Sequence, residues 1–277
     1  MKYYKYENCI KADRNFNPHL RRVLAEGELF FSKPSTFEDY EDCSVEIYLE
    51  GSDRDILDFA NKLKIEQPYL RPIIDRLLRE NDLQTFAKLY SEGAKSNNAK
   101  DILGIFCLSK YWNNKKMWDY YASSEGICFG YDVKEYSKGK YEIKATETFA
   151  YNGSVTNSIP FIPVKYITTK RPKVNRIPDY AFQDALSEVL LMKDSAKWGF
   201  ENEVRSIVFE RMLKQPLGEK GIALHCNPDT ISEIIFSPTT NEKTIKEIKD
   251  IISQRPSGGA NVHYYRISDD FLDKTEL

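Results

Sequence analysis

The sequence predicts an α+β fold carried by a mostly antiparallel sheet, and three features point to it. Short runs rich in β-branched and aromatic residues recur along the chain, as over 204–209. Amphipathic stretches with apolar residues at helical spacing lie between them, each opened by a capping residue. The two kinds alternate without the regular strand–helix–strand spacing of a parallel sheet.

The elements follow in order. Residues 3–6 read as an aromatic strand, with Tyr4 and Tyr6 on one face and Tyr3 and Lys5 on the other. A helix over 18–26 has Asn17 as cap, Pro18 in its first turn and Gly27 as terminator. A brief strand at 29–31 leads into a loop bearing Glu38, Asp39, Glu41 and Asp42, either a solvated acidic loop or a lid over a ligand. From Ser52, which makes a capping box with Asp55, to about Gly93 the pattern is helical, and 91–101 is a polar linker. A strand over 102–108 is followed by a short helix capped by Asn113 or Asn114, then by a strand over 127–131. Strands at 141–151 and 161–167 are separated by a turn bounded by Gly153 and Pro160. The helix over 178–193 begins with Pro178 and Asp179 and carries Phe182, Ala185, Leu186, Val189 and Leu190 as its apolar stripe. Strands at 222–225, 231–236 and 262–267 flank a last helix over 240–252, with Thr239 and Glu242 as its capping box. A chain of 277 residues buries a full core, and the reading is one α+β domain over 1–277 with a helical insert at about 52–98.

Composition narrows the function classes. Formal net charge is -2, so there is no overall basic field for non-specific nucleic-acid binding. The five cysteines are scattered, with none spaced as CxxC, as in a cytosolic protein with reduced thiols. The amino terminus has no apolar signal core, and no run approaches the roughly 20 apolar residues of a membrane helix. His19, His225 and His263 lie far apart and form no metal-ligand spacing.

The stretch 198–209, Trp-Gly-Phe-Glu-Asn-Glu-Val-Arg-Ser-Ile-Val-Phe, carries the clearest chemistry. Strand alternation puts Glu201, Glu203, Arg205, Ile207 and Phe209 on one face. Charges in line with apolar residues are costly to bury unless paired or used. The stretch is thus an edge strand whose wet end holds a Glu–Arg pair, or a carboxylate site at the mouth of a cleft. Trp118 and Tyr121, three apart, can share a helix face and stack under the next strand or on a flat ligand. There is no glycine-rich phosphate loop and no nucleophile elbow, and Cys107 and Cys128 sit in apolar strands that disfavour a thiolate. Carboxylates, aromatics and an early cation suit cleavage of an N-glycosidic bond, whose transition state is a cationic, oxocarbenium-like sugar. Glu203 is then the fixed anion, Tyr121 or Trp118 the plane for the departing base, and Lys5 the cation for a diphosphate.

The chain resembles an uncharacterised family of bacterial proteins in four marks: Tyr-Lys-Tyr at 4–6, Phe-Ser-x-Pro-x-x-Phe-x-Asp at 31–39, Met-Trp-x-x-Tyr-Ala through Gly-Ile-Cys-Phe-Gly-Tyr-Asp at 117–132, and Lys-x-x-x-Lys-Trp-x-x-Glu-x-Glu-x-Arg at 193–205. More distantly, the order of parts is similar to the ADP-ribosyltransferases. Lys5 stands where those have a basic residue on the first strand, Ser109 where a strand ends in Ser, and Glu201-Asn-Glu203 where they carry Glu-x-Glu. Two departures are plain: Lys5 lacks the bidentate fork of an arginine, and the Ser-Thr-Ser triplet is reduced to Cys-Leu-Ser at 107–109.

The resemblance implies an ADP-ribosyltransferase-like split sheet and an NAD-consuming transferase acting as a bacterial toxin or phage-defence effector. Glu203 and Glu201 would be catalytic, with Lys5, Tyr6, Ser109, Trp118 and Tyr121 holding NAD as substrate and no metal required. It further implies an acceptor drawn from proteins, nucleic acids or small molecules, an antitoxin or defence-system partner, and no membrane. Two rival readings stand beside it. One is a non-catalytic sensor or partner-binding module, with Glu201, Glu203 and Arg205 as an ion-pair row and the insert at 52–93 as its surface. The other is a metal-dependent nuclease in which Asp39, Asp42, Glu201 and Glu203 converge on a divalent ion.

Overall fold

The structure, a computed structural model, describes residues 1–277 except 12–14, 40, 81, 97–98, 124, 152–153 and 178, and for 94–96, 99, 151, 179–180 and 183 the backbone alone. Strand β1 (Lys2–Asn8) leads to helix α1 (Pro18–Glu26), then β2 (Glu28–Ser32) and β3 (Ile47–Tyr48). Asn17 caps α1 by accepting from the His19 N–H, and Gly27 ends it at φ 73°, donating to the Arg22 and Val23 carbonyls. The insert is α2 (Asp53–Glu66), α3 (Arg71–Arg79) and α4 (Leu83–Ser96). Both hydrogen bonds of the Ser52–Asp55 capping box are made.

Then come β4 (Leu103–Ser109), the one-turn α5 (Lys115–Met117) with a π turn at Trp118–Ala122, and β5 (Gly126–Asp132). The sequence continues through β6 (Lys134–Ser137), β7 (Lys140–Tyr151), β8 (Ser154–Pro163), β9 (Lys165–Ile167) and β10 (Val174–Asn175). After α6 (Asp179–Leu190) follow β11 (Met192–Asp194), α7 (Ser195–Trp198) and β12 (Glu203–Phe209). The chain ends with β13 (Gly221–His225), β14 (Ile231–Phe236), α8 (Glu242–Ser253), β15 (His263–Ile267) and β16 (Lys274–Glu276).

The architecture is α+β, with a mostly antiparallel sheet of 12 strands in the order β16-β15-β14-β5-β1-β4-β12-β8-β7-β6. From it β2 branches off β4, and β13 pairs with β2. Among the described residues only β14–β15 is parallel within this sheet, and β3–β10 and β9–β11 form two small parallel pairs. The branching matters for the site. β1 pairs with β5 over its whole length, yet meets β4 at the single register point Tyr4–Ser109. β4 turns instead to β2 through Ile105–Ser32, so the sheet splits between β1 and β4.

Each sheet face has its own core. On one, α1 (Leu20, Val23, Leu24) and α8 (Ile245, Ile248, Ile251, Ile252) pack on Phe31, Phe129 and Ile234. Each such buried aliphatic side chain contributes about 1.5–3 kcal/mol. On the other face, α6 lays Phe182, Leu186, Val189 and Leu190 over Leu103 and Ile105 of β4. The insert closes a separate core of Ile56, Phe59, Leu63, Ile74, Leu77 and Phe86.

Several sequence expectations are corrected. α4 runs to Ser96, inside what reads as a polar linker. The single strand expected over 161–167 is two, β8 and β9, and Pro160 lies within β8 opposite Glu142 rather than in a turn. β12 joins β8 only at Ile162 and Pro163, so the donor that Pro160 lacks has no ladder partner on that side. α8 is capped by Asn241, which accepts from the Thr244 N–H, in place of a box from Thr239. The α6 helix stops at Leu190, and Lys193 belongs to β11. Gly153 and Pro178 lie outside the described residues.

Candidate functional site

β12 is an interior strand, paired to β4 along its whole length and to β8 at Val204 and Arg205, which overturns the edge-strand reading. Glu203 and Arg205 do share a face, as alternation requires, and they are 5% and 0% exposed. Glu201 reaches the same place by another route. It ends a 3-10 turn, and Asn202 in the left-handed region (φ 47°, ψ 47°) reverses the chain into β12. Asn tolerates this conformation better than most residues. Glu201 is therefore not in strand register with Glu203. Its backbone carbonyl instead accepts from the Ser109 hydroxyl at 2.7 Å, tying the turn to the end of β4.

Buried charge at this position is met by Arg205, which strand alternation already set beside Glu203, and by Lys193, which sequence reasoning did not assign to the site. The Lys193 ammonium lies 2.5 Å from Glu201 Oε2, 3.0 Å from Glu203 Oε2 and 3.5 Å from Asp42 Oδ2. Arg205 donates through Nε to Glu203 Oε1 at 2.7 Å and forks onto both Asp42 oxygens at 2.9 and 2.6 Å. It also donates to the Leu190 carbonyl at 3.1 Å. The acidic loop is thus pinned at Asp42 from beneath, and Asp39 pairs with Lys197 at 3.3 Å at the rim. The metal-dependent reading asks Asp39, Asp42, Glu201 and Glu203 to share one divalent ion, but here Lys193 and Arg205 occupy the space between the carboxylates. Among the described residues no group of three or more His, Cys, Asp or Glu is placed to hold a metal.

These environments set the protonation states. Burial would raise Glu203, but the Arg205 and Lys193 charges outweigh it and hold its carboxyl well below the usual range. Burial likewise raises Asp42, and Arg205 overrides it, leaving it below its ordinary value. For Glu201, burial outweighs the pull of Lys193, and its carboxyl sits above the ordinary value. Burial would lower Lys193, but the Glu203, Glu201 and Asp42 charges raise it and keep it protonated. Cys107 and Cys128 are pushed far up by burial, so neither is a nucleophile.

Above this cluster opens a cavity of about 310 Å³. Lys5, Tyr6, Ser109, Tyr121, Glu201 and Glu203 all line it, drawn from segments remote along the chain. Lys5 lies in the split of the sheet, where its ammonium donates to the Cys107 carbonyl at 3.2 Å and stands over the Phe106 ring. The Tyr121 hydroxyl donates to Glu201 Oε1 at 2.5 Å. Tyr6 offers its ring to the wall, its hydroxyl committed to the Tyr111 carbonyl at 2.8 Å.

Trp118 is the exception. It is 1% exposed, packs edge-on against Tyr6 and donates through Nε1 to the Trp112 carbonyl at 2.8 Å. The widened π turn removes the common face expected of Trp118 and Tyr121, so Trp118 supports the wall from behind and does not line the cavity. The aromatic surface at the mouth is instead Tyr120, which is 57% exposed and packs on Tyr121, Trp198 and Phe200. Lys193, the buried cation that the sequence reading left out of the site, had one available signal. Two acids two residues apart at the start of an otherwise apolar strand demand counter-cations if buried, and Lys193 and Arg205 bracket them in sequence.

Comparison with known protein families, curated proteins and solved structures returned no match. Among the described residues, no helix is long and apolar enough to cross a membrane.

Proposed function

We propose that this chain consumes NAD, with chemistry like that of an ADP-ribosyltransferase, in the cavity between β1, β4 and β12. The observation that carries the reading is the meeting of Lys5, Ser109, Tyr121, Glu201 and Glu203 around one hollow. At about 310 Å³ it is at the small end for ligand pockets, enough for a nicotinamide riboside end with the rest of the dinucleotide lying across the mouth. Its lining holds five acids (Glu38, Asp39, Asp42, Glu201, Glu203) against three cations (Lys5, Lys193, Arg205). That excess of negative charge favours a pyridinium ring in the ground state and a ribosyl cation in the transition state. Glu203, ionised and held by Arg205 and Lys193, is the fixed anion, and Glu201 orients the acceptor. The Lys5 ammonium spends one of its three donors on the Cys107 carbonyl, which leaves others for a phosphate oxygen.

The test is release of nicotinamide from NAD by the parent and by Glu203→Gln. Gln keeps the volume and leaves Asp42 and Glu201 to balance Lys193 and Arg205, so the variant is expected to fold and lose turnover. Parental turnover in a folded variant refutes the assignment.

A second reading is favoured by one observation: both Glu203 oxygens are already engaged, by Arg205 and by Lys193. In a non-catalytic sensor or binding module this would be purely structural. Calorimetry with NAD separates the two, since the second reading predicts no heat.

A further inference from the structure

A second cavity, of about 130 Å³, opens where the sheet splits, lined by Glu7 of β1, His19 of α1, Glu28 of β2 and Tyr131 of β5. Lys5 lines this cavity and the candidate site alike. His19 spans two strands here. Its Nδ1 is 2.9 Å from Glu28 Oε1, and its Nε2 is 3.3 Å from Glu7 Oε1. Only an imidazolium has a proton for each carboxylate, whereas a neutral ring turns a lone pair on one of them. Burial would lower His19, but the bonds and charges of Glu7 and Glu28 outweigh it and set it above its ordinary 6.5. The two arms are unequal. Glu28 is also held by Arg22, at 2.6 Å through Nε and 3.3 Å through Nη2. Among the described residues, His19 is the one cation within 4 Å of Glu7, whose other oxygen is buried with no hydrogen-bond partner. Other charged groups packed on α1 are already engaged: Glu247 of α8 pairs with Arg21 at 2.6 Å, and Asp229 accepts from the Ser257 hydroxyl at 2.6 Å. Tyr131 is pushed far up by burial and stays neutral.

We propose that His19 is a proton-operated switch on Lys5. While His19 is charged, both carboxylates are satisfied and Lys5 reaches across the split to the Cys107 carbonyl of β4, at 3.2 Å. When His19 gives its proton to water, which its 32% exposed side chain meets directly, Glu28 keeps Arg22 and Glu7 loses its partner. The nearest replacement is Lys5, two residues along β1 on the same face and roughly 7 Å away by strand rise. Its flexible four-carbon stem lets the ammonium turn from Cys107 to Glu7, out of the candidate site and into the second cavity. The sign is fixed by His19 lying above 6.5 in the native protein. The arrangement seen here is complete below 6.5 and is lost as pH rises through the native value. The switch goes beyond the NAD reading, since it acts on any anion that Lys5 would meet.

The experiment is a 13C NMR titration that follows histidine ring carbons and lysine ε-carbons together. His19 is assigned among the three histidines by its loss in His19→Gln, and Lys5 by its loss in Lys5→Arg. In the parent, His19 is expected to titrate above 6.5, and the Lys5 signal to shift with the same midpoint. His19→Gln should abolish that step in Lys5. Glu7→Gln removes the pull on Lys5 while leaving a titrating His19 on Glu28. It should lower the His19 midpoint and hold the Lys5 signal level, and it keeps the test open if His19→Gln does not fold. A parent His19 midpoint at or below 6.5 overturns the proposal. So does a Lys5 signal that ignores the His19 step, or one that follows it equally in Glu7→Gln. NAD keeps one charge over this range, so its affinity should fall about tenfold as pH rises through the midpoint in the parent, the worth of one hydrogen bond to a charged group, and stay level in Glu7→Gln. If the two signals move together but the parent binds no NAD, the NAD reading falls and the switch stands.

Discussion

Replacing Arg205 with Met keeps most of the side-chain volume and removes a guanidinium that is 0% exposed. The loss is not one ion pair. The fork to Asp42 at 2.9 and 2.6 Å, the bonds to Glu203 at 2.7 and 3.2 Å and the bond to the Leu190 carbonyl at 3.1 Å all go together. Asp42 and Glu203 remain buried, with Lys193 as their main compensation. Removing one partner from a buried ionic network costs about 3–5 kcal/mol. In a chain of this size each kcal/mol moves the melting temperature by about 2 °C, so the loss at pH 7 is about 6–10 °C. The pH dependence has a definite sign. The native values of Asp42 and Glu203 lie below their ordinary 3.8 and 4.5. Their contribution is therefore complete above those ordinary values and lost as pH falls below them toward the native ones. The parent forfeits on acidification what the variant already lacks, and the gap between them should narrow below about pH 4. Arg205→Lys, which keeps charge without the fork, should fall between. Melting followed by circular dichroism at pH 7 and pH 3.5 checks this. A loss under about 2 °C at pH 7, or one equally large at pH 3.5, refutes the network as a stabilising unit.

Two further predictions concern the frame. Gly27 has φ 73°, and a Cβ there would lie 2.2 Å from the Cys226 carbonyl oxygen and 3.0 Å from the Pro228 nitrogen. Gly27→Ala should cost roughly 3 kcal/mol in urea unfolding, from left-handed strain and backbone displacement together, and a cost under about 0.5 kcal/mol would contradict that packing. Ser52→Ala removes the α2 cap and should cost about 1 kcal/mol locally, raising amide exchange over 53–56 roughly fivefold with little change in the main sheet. Ser52→Gly should lose only a few tenths of a kcal/mol, and equal effects of the two would refute the capping account.

The sequence by itself determined whatever is decided within one turn or one strand. Asn17 and Gly27 bound α1, and Ser52 with Asp55 opens α2, because a cap is settled between residues two to five apart. Strand alternation placed Glu203 and Arg205 on one face of β12 without reference to any neighbour. Strands of two to four residues, such as β3 and β11, carry too little alternation to be seen, and they exist because a partner strand supplies the hydrogen bonds. The π turn after α5 separated Trp118 from Tyr121 for a similar reason: a local bulge answers to the packing of Trp118 beneath Tyr6. Only the tertiary structure decided how the charges are shared. Lys193 meets Glu201, Glu203 and Asp42 because a parallel pairing with β9, a left-handed turn at Asn202 and a fork from Arg205 coincide in space. Electrostatic energy in a buried cluster depends on distances of a few ångströms between segments remote in the chain, and no local pattern of residues encodes those distances.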